Sequence, residues 1–513
     1  MTAKSGSRSS VNYKPVDASY FKTRQLRRHA GVFTLWMMGV GAVIAGDYAG
    51  WNIGLADGGF GGLLISLLIV GFLYICLCSS IGEMSAALPH TGGAYSFART
   101  ALGPWGGYTT GLAENIEFVL APGGNIFFLS AYLASITGTS MEWLPAWWIL
   151  GYAVMLVLST RGIELTMRVL VWITIAATLV LVFFFVIAIP EVDIAKNALN
   201  IASDGSLLPE GNGPWLPFGW TGVLATLPFA VYMFLAVEQL PLAAEEANNP
   251  TRDMPRALIL SVVTLFFLAI GMLVFSASIS TGSHALGSAS DLLLDNFKAL
   301  LGEGWARFLA LAAVLGLGAS FFAGSFACGR NIYSLSRAGY FPTAASVTNA
   351  RTQTPDRALL SGSGMALLAL LVIWYLGGKD DIAFMGGFLV SMIGFAGMVS
   401  YLLQSISFIR LRKRFPGIHR PFVSPLGNFG AYFTILVCIV TLGYLFINPV
   451  YQWAAVTVLV WYLIGLAYFM FYRRHHLILS PEEEFAVSGG VHGRTIEEVE
   501  GELEAQATGS QAG

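Results

Sequence analysis

The sequence predicts an all-α integral membrane protein with twelve transmembrane helices, and three observations support this fold class. Apolar residues make up 55% of the 513 residues and charged residues only 11%, whereas soluble domains carry about 25% charged residues. Hydrophobic runs long enough to cross a bilayer, which takes about 20 residues, recur along the chain. The first and the sixth of these runs are interrupted and each contains an acidic residue.

Composition divides the chain into two polar tails and a central membrane domain. Residues 1–30 are basic, residues 31–475 contain the hydrophobic runs, and residues 476–513 are rich in Glu, Gly and Ser. Low hydrophobicity and high charge are typical of disordered segments, so we predict that both tails are largely disordered. The predicted spans are 31–55, 59–80, 105–136, 146–159, 162–189, 220–240, 258–280, 305–328, 359–375, 382–409, 429–447 and 453–472.

The basic residues between the spans predict the orientation of the chain. If both termini are cytoplasmic, all but four of the 28 Lys and Arg residues fall on the cytoplasmic side, the exceptions being Lys196, Lys298, Arg307 and Lys379. Cytoplasmic loops of membrane proteins carry such an excess of Lys and Arg. We therefore expect a multi-pass protein of the plasma (inner) membrane with both termini inside.

The first span is predicted to break near its middle. The stretch Gly39–Asn52 contains four glycines and Asp47. Glycine inside a helix costs about 1 kcal/mol relative to alanine, and an acidic residue at membrane depth costs several times more. Both features are accommodated if the helix is interrupted and the freed groups face a protected polar cavity. The alternative is a glycine-lined packing face with Asp47 near the outer end.

The sixth span repeats this pattern five spans later. It contains Pro228 and the acidic residue Glu238. Interrupted helices at matching positions indicate two inverted repeats with a substrate site near the middle of the membrane, as in secondary transporters. Spans 1–5 and 6–10 would form the repeats, and spans 11 and 12 would be an addition.

Four acidic residues in three spans predict a site for a cation. Glu114 and Glu117 lie three residues apart in span 3 and share one helix face. Asp47 and Glu238 add one carboxylate from each interrupted span, and these spans contain no Lys or Arg. The alternative is that some of the acids are protonated and form hydrogen bonds between helices. The predicted substrate-binding residues are Ala45, Gly46, Asp47, Tyr48, Glu114, Glu117, Phe234 and Glu238.

Three loop motifs carry a resemblance to a known family. They are Glu83–Tyr95 after span 2, Ala244–Arg256 after span 6, and Arg330–Tyr333 with Arg337–Pro342 after span 8. Each motif alone is explained by turn formation and helix capping, but their order resembles the amino acid–polyamine–organocation (APC) transporter superfamily. The resemblance implies the LeuT-type five-plus-five inverted repeat with broken first and sixth helices, and secondary transport by alternating access.

Within this superfamily the chain is similar to the ethanolamine permease branch. The similarity lies in the run Gly41–Asn52 and in Ala113–Phe118. Amino acid carriers of the superfamily place bare backbone N–H groups where this chain has Asp47, whose side chain would repel a substrate carboxylate. The resemblance therefore implies import of a small cationic amine, ethanolamine.

Two alternatives to an ethanolamine permease stay open. The first is an amino acid permease of the same superfamily. The second is a membrane enzyme acting on amino alcohols, although the run that begins at Asp57-Gly58 does not continue as such an enzyme's motif would. We expect a transporter rather than an enzyme, with no catalytic residue, metal or cofactor. The expected partners are the amine and membrane lipid, without nucleic acid, and sodium or a proton as coupling ion stays open.

Overall fold

The chain folds into a bundle of membrane-spanning helices. The structure, a computed structural model, describes residues 11–14, 19–24, 26, 28–88, 92–199, 213–289, 291–378, 381–480, 483, 484 and 486. Within this part of the chain, ten helices are long and apolar enough to cross a membrane. The two other predicted spans correspond to the shorter apolar segment Val32–Tyr48 and to the 35-residue helix Glu303–Arg337. The predicted all-α fold class is confirmed.

The bounds of the helices differ from the predicted spans mainly at their ends. The spans comprise the helices Val32–Val43, Ala45–Tyr48, Ile53–Ala87, Ala94–Thr137, Leu144–Thr160, Ile163–Ala188, Gly219–Tyr232, Val237–Glu246, Pro250–Ala277, Glu303–Arg337, Asp356–Ile373, Ile382–Arg414, Gly427–Ile447 and Gln452–Phe471. Shorter helical segments are Ser19–Lys22, Met141–Trp143, Ile189–Glu191, Ile194–Ala198, Ser283–Leu286, Leu292–Leu301, Thr343–Ser346, Trp374–Gly378 and Arg473–His475.

Two glycines with positive φ divide the longest helical segments. Gly59 (φ 68°) separates residues 53–58, which continue span 1, from span 2. Gly103 (φ 84°) separates residues 94–102, a helix after span 2, from the membrane part of span 3. Residues other than glycine rarely adopt this left-handed region, so glycine allows the chain to turn at both places.

Spans 3 and 6 lie at the centre of the bundle. In their most apolar windows 83% of the residues are buried inside the protein, compared with 28% in spans 4, 5 and 12. Span 3 packs against spans 8 and 10, and span 2 packs against spans 6 and 7. The acidic residues predicted for spans 3 and 6 are therefore shielded from lipid by surrounding helices.

The described parts of the two tails include ordered segments where the sequence predicts disorder. Strand β1, Tyr13–Lys14, pairs in parallel with strand β2, Leu477–Ile478, and Glu483 is fully buried. This corrects the expectation of disorder for these residues, because pairing between the chain ends cannot be read from local composition. The rest of the predicted tails lies largely outside the described residues. The pairing places both ends on one side of the bundle, which we call the terminal face.

Candidate functional site

The first span is interrupted between residues 44 and 52, as predicted. Helix Val32–Val43 gives way to the single turn Ala45–Tyr48, after which Ala49 is extended and Gly50 has a φ of 90°. Ser320 of span 8 bridges the start of this break, because its Oγ accepts from the Ala45 N–H (2.8 Å) and donates to the Gly41 carbonyl (2.7 Å). Backbone groups freed at this end of the break are therefore satisfied by a neighbouring helix.

Asp47 lies in this break with an unsatisfied carboxylate. The residue is fully buried, and neither carboxylate oxygen has a hydrogen-bond partner within the described part of the chain. Its backbone carbonyl accepts from Trp51 Nε1 at 3.2 Å. Burying a charged group without a partner is costly, and such residues inside a membrane are typically functional. Asp47 therefore has the environment expected of a group that receives a cationic ligand.

The second interruption lies against the first. Helix Gly219–Tyr232 ends in span 6, Ala236 adopts a φ of 82°, and the narrower helix Val237–Glu246 follows. A Cβ atom on Gly46 would lie 2.5 Å from the Tyr232 carbonyl oxygen. Only glycine lets the two broken helices approach this closely, so the two interruptions are in contact at Gly46.

Replacing Gly46 by Ala is expected to lower transport at least tenfold, because the added methyl group would push the two interruptions apart. The control is Gly62→Ala, where a Cβ would have ordinary contacts at 3.6 Å or more. Initial uptake rates of both variants, normalised to protein in the membrane, test this prediction. Wild-type uptake by Gly46→Ala would show that the close approach is unnecessary.

Glu117 and Glu238 form a second polar centre. Both residues are buried and their carboxyl groups are close neighbours, and neither oxygen of Glu238 has a hydrogen-bond partner within the described part of the chain. The Tyr401 hydroxyl donates to Glu117 Oε1 (3.0 Å), and the Tyr74 hydroxyl donates to the Tyr401 oxygen (3.0 Å). Spans 2, 3, 6 and 10 thus meet at one pair of carboxyl groups.

Glu114 has different partners, although it is three residues from Glu117. Its carboxylate accepts a hydrogen bond from Asn331 Nδ2 at 3.4 Å and lies beside the backbone N–H groups of Ala94 and Tyr95. The side chain therefore lies at the start of the helix after span 2, where backbone N–H groups lack partners within the helix. This environment indicates a structural role for Glu114.

The eight predicted substrate-binding residues thus fall into two groups. Ala45, Gly46, Asp47 and Tyr48 lie at the first interruption, but the Tyr48 side chain turns towards span 5, where its hydroxyl donates to the Ala177 carbonyl (2.6 Å). Glu114, Glu117, Phe234 and Glu238 belong to the second group, in which the Phe234 ring stacks on Tyr74 with centroids 5.3 Å apart. The role of all eight in substrate binding stays a prediction.

The polar partners of these carboxylates are not among the predicted site residues. Tyr74, Tyr401 and Asn331 are buried in otherwise apolar helices. A hydroxyl or amide within a transmembrane helix needs a partner on another helix, which is the signal that could have identified them. Their pairing with particular acids depends on the packing of distant spans.

A cavity adjoins the first interruption. It has a volume of about 230 Å³, and Gly50, Asn52 and Phe128 are among its lining residues. The Phe128 ring lies so close to Gly50 that a Cβ there would be 3.0 Å from it. The cavity reaches the interruption at Gly50 and Asn52, whereas Asp47 is fully buried and is not among its lining residues.

Comparison with known proteins identifies the family. The family model "Amino acid permease" matches residues 34–482, a range that includes both interruptions. The chain belongs to the amino acid permease family. The inverted-repeat architecture with broken first and sixth helices is the fold of this family, and the predicted superfamily is thus confirmed.

Several transporters are similar to this permease along most of its length. It is 25% identical over 476 residues to the branched-chain amino acid permease BcaP of Bacillus subtilis (strain 168), covering 89% of this chain and 95% of that protein. It is 24% identical over 490 residues to the methylthioribose transporter of the same strain (91% and 98%). It is 24% identical over 389 residues to the gamma-aminobutyric acid permease of Escherichia coli (strain K12) (74% and 79%).

Proposed function

We propose that this permease imports a small solute bearing an ammonium group, which Asp47 receives at the first interruption. The observation that carries this proposal is the buried Asp47 carboxylate without a hydrogen-bond partner in the described part of the chain. An ammonium group supplies both the opposite charge and the hydrogen-bond donors that this carboxylate lacks. The cavity beside Gly50 and Asn52 gives such a solute room next to the interruption.

An amino acid is the first candidate for this solute. Relatives named for branched-chain amino acids and gamma-aminobutyric acid are similar to this chain over at least 74% of its length. The ammonium group of an amino acid would face Asp47, and its carboxylate would need donors elsewhere. This candidate has the support of family membership.

Ethanolamine is a second candidate, and the donors at the first interruption favour it. The N–H of Ala45 is bonded to Ser320 Oγ, and the N–H of Asp47 is bonded to the Ile44 carbonyl at 3.1 Å. Neither N–H is therefore available to a substrate carboxylate in this conformation. A carboxylate beside Asp47 would also be repelled, whereas ethanolamine has an ammonium group and a neutral hydroxyl.

Uptake into proteoliposomes tests the proposal and separates the two candidates. Labelled ethanolamine, leucine and gamma-aminobutyric acid are supplied in turn, each with an excess of unlabelled amine, zwitterion or simple carboxylate. We expect uptake that amines inhibit and simple carboxylates do not. Uptake restricted to solutes without an amine would contradict the proposal. Strong inhibition of ethanolamine uptake by zwitterions would identify an amino acid permease.

We further infer that both termini are cytoplasmic and that transport proceeds by alternating access at the plasma membrane. The bias of Lys and Arg supports this orientation, and the pairing of β1 with β2 agrees with an even number of spans. The neighbouring buried carboxyl groups of Glu117 and Glu238 offer one place for a coupling proton, whereas sodium stays the alternative.

A further inference from the structure

The terminal face contains a buried site for a carboxylate. Each oxygen of Glu483 accepts two hydrogen bonds: Oε1 from the Tyr95 and Tyr340 hydroxyls (2.8 and 2.9 Å), and Oε2 from Arg99 Nε and the Tyr13 hydroxyl (2.6 and 2.7 Å). We call Tyr13, Tyr95, Arg99 and Tyr340 the tail site. Four hydrogen bonds and one opposite charge satisfy a carboxylate that is fully shielded from solvent.

The phenols of the tail site keep the protons that they donate. Burial, followed by the neighbouring Glu483 carboxylate, raises the pKa of the Tyr13 and Tyr340 phenols above the ordinary value. Arg99 also donates from its terminal nitrogen to the Tyr13 oxygen at 2.6 Å. The site therefore offers donors to an ionised carboxylate, and the Arg99–Tyr13 hydrogen bond links two of its four residues.

Glu483 joins elements that are far apart in the sequence. Tyr13 belongs to the N-terminal strand, Tyr95 and Arg99 to the helix after span 2, and Tyr340 to the segment after span 8. Strand β2, immediately before Glu483, pairs with β1, and the Ile478 N–H donates to the Ala338 carbonyl at 2.9 Å. The C-terminal tail thus holds the N-terminal tail against the end of span 8.

From the tail site the described parts of the N-terminal tail cross the terminal face. The Tyr20 hydroxyl donates to the Arg337 carbonyl (3.0 Å), and the Tyr333 hydroxyl donates to the Arg24 carbonyl (2.8 Å). At the start of span 1, the Ala30 N–H donates to the Glu246 carbonyl (3.0 Å). The N-terminal tail therefore connects span 1 and the end of span 6 to the tail site.

One buried and one partly buried ion pair close the same face. Arg330 of span 8 donates from Nε to Glu246 Oε1 at 2.9 Å, and Arg337 is paired with Glu245 at 2.6 Å. Both acids lie at the end of the second half of span 6. If the terminal face opens between spans 6 and 8, both ion pairs have to separate. The described parts of the N-terminal tail also contact both of these spans.

We propose that the tail site is a latch: binding of Glu483 by Tyr13, Tyr95, Arg99 and Tyr340 holds both tails in place and keeps the terminal face closed. The occupant is a segment of this same chain. The latch has to release when the terminal face opens during the transport cycle. This inference is independent of the substrate that the permease carries.

Hydrogen–deuterium exchange on the full chain in nanodiscs tests the latch without substrate. In Glu483→Gln, which keeps the shape of the side chain, we expect amide exchange of Asn12, Leu477 and Ile478 to rise about tenfold, because hydrogen bonds to a charge are lost. If the latch holds the face closed, exchange at Ala30 and Asn248, which bond between span 1 and the end of span 6, rises as well.

Glu484→Gln is the matched control, because Glu484 directly follows Glu483 and its own carboxylate is not bound in the tail site. Tyr340→Phe, which removes one hydroxyl and keeps the ring, is a second variant and is expected to show a smaller rise at the same amides. Unchanged exchange at Asn12 and Leu477 in both test variants would show that Glu483 does not hold the tails. Faster exchange there with unchanged exchange at Ala30 and Asn248 would overturn the closing role.

Discussion

Replacement of Asp47 by Asn is expected to lower uptake of the amine substrate at least tenfold while the protein is still inserted in the membrane. The substitution preserves the volume of the side chain and removes its charge. A hydrogen bond to a charged group typically contributes about 1.5–3 kcal/mol, which corresponds to a loss of roughly tenfold or more in binding. The free protein should lose no stability, because the buried carboxylate of Asp47 has no partner within the described residues.

This combination of lost uptake and retained stability separates a binding role for Asp47 from a structural one. Initial uptake rates and the thermal unfolding of the purified protein are the two measurements. Asp295→Asn is the control, because Asp295 forms only a partly exposed pair with Lys298 at 3.4 Å, and such pairs contribute little. Normal uptake by Asp47→Asn would remove Asp47 from the substrate site.

The second large effect is expected at the carboxyl pair of spans 3 and 6. Glu117→Gln and Glu238→Gln should each reduce uptake at least tenfold, because a glutamine can neither release a proton nor become negatively charged. Glutamine can still hydrogen-bond to the remaining carboxyl group and to Tyr401, so folding should be preserved. The measurement is uptake at several pH values, normalised to protein in the membrane.

Glu114→Gln is the matched comparison within the same helix. The glutamine carbonyl can accept the same hydrogen bond from Asn331 Nδ2 beside the Ala94 and Tyr95 N–H groups, so we expect uptake within about threefold of wild type. Loss of uptake in Glu114→Gln together with normal uptake in Glu117→Gln would reverse the two roles. Normal uptake in both Glu117→Gln and Glu238→Gln would show that transport does not depend on the carboxyl pair.

The sequence predicts the bundle and its two interruptions well, because both depend on local features. Hydrophobic length determines a span. Glycines on both sides of Asp47, and Pro228 a few residues before the break in span 6, make a continuous helix unfavourable. The structure interrupts span 1 within residues 44–52 and span 6 within residues 233–236, close to these signals.

The arrangement of the acidic residues could not be predicted in the same way. Glu114 and Glu117 share a helix face, as their spacing requires. One nevertheless meets the Ala94 and Tyr95 N–H groups while the other meets Glu238, because Gly103 turns the preceding helix back towards span 3. Such partners depend on how distant spans pack, and a single sequence does not contain that information.

The tails illustrate the same limit. Leu477 and Ile478 are apolar residues in an otherwise polar end of the chain, and Glu483 is one of several consecutive acidic residues. Composition suggests a solvated segment. Burial of Glu483 depends on Tyr13, Tyr95, Arg99 and Tyr340, which come from three separate parts of the chain.

The latch also has a consequence for biogenesis. Tyr13 and Glu483 are separated by 470 residues. The ribosome therefore adds Glu483 long after it has added Tyr13. At about 5–20 residues per second, roughly half a minute or more passes between the two. A nascent chain already inserted in the membrane therefore has no latch until Glu483 has left the ribosome. The contribution of the latch to closure of the terminal face is thereby limited to chains that extend past Glu483.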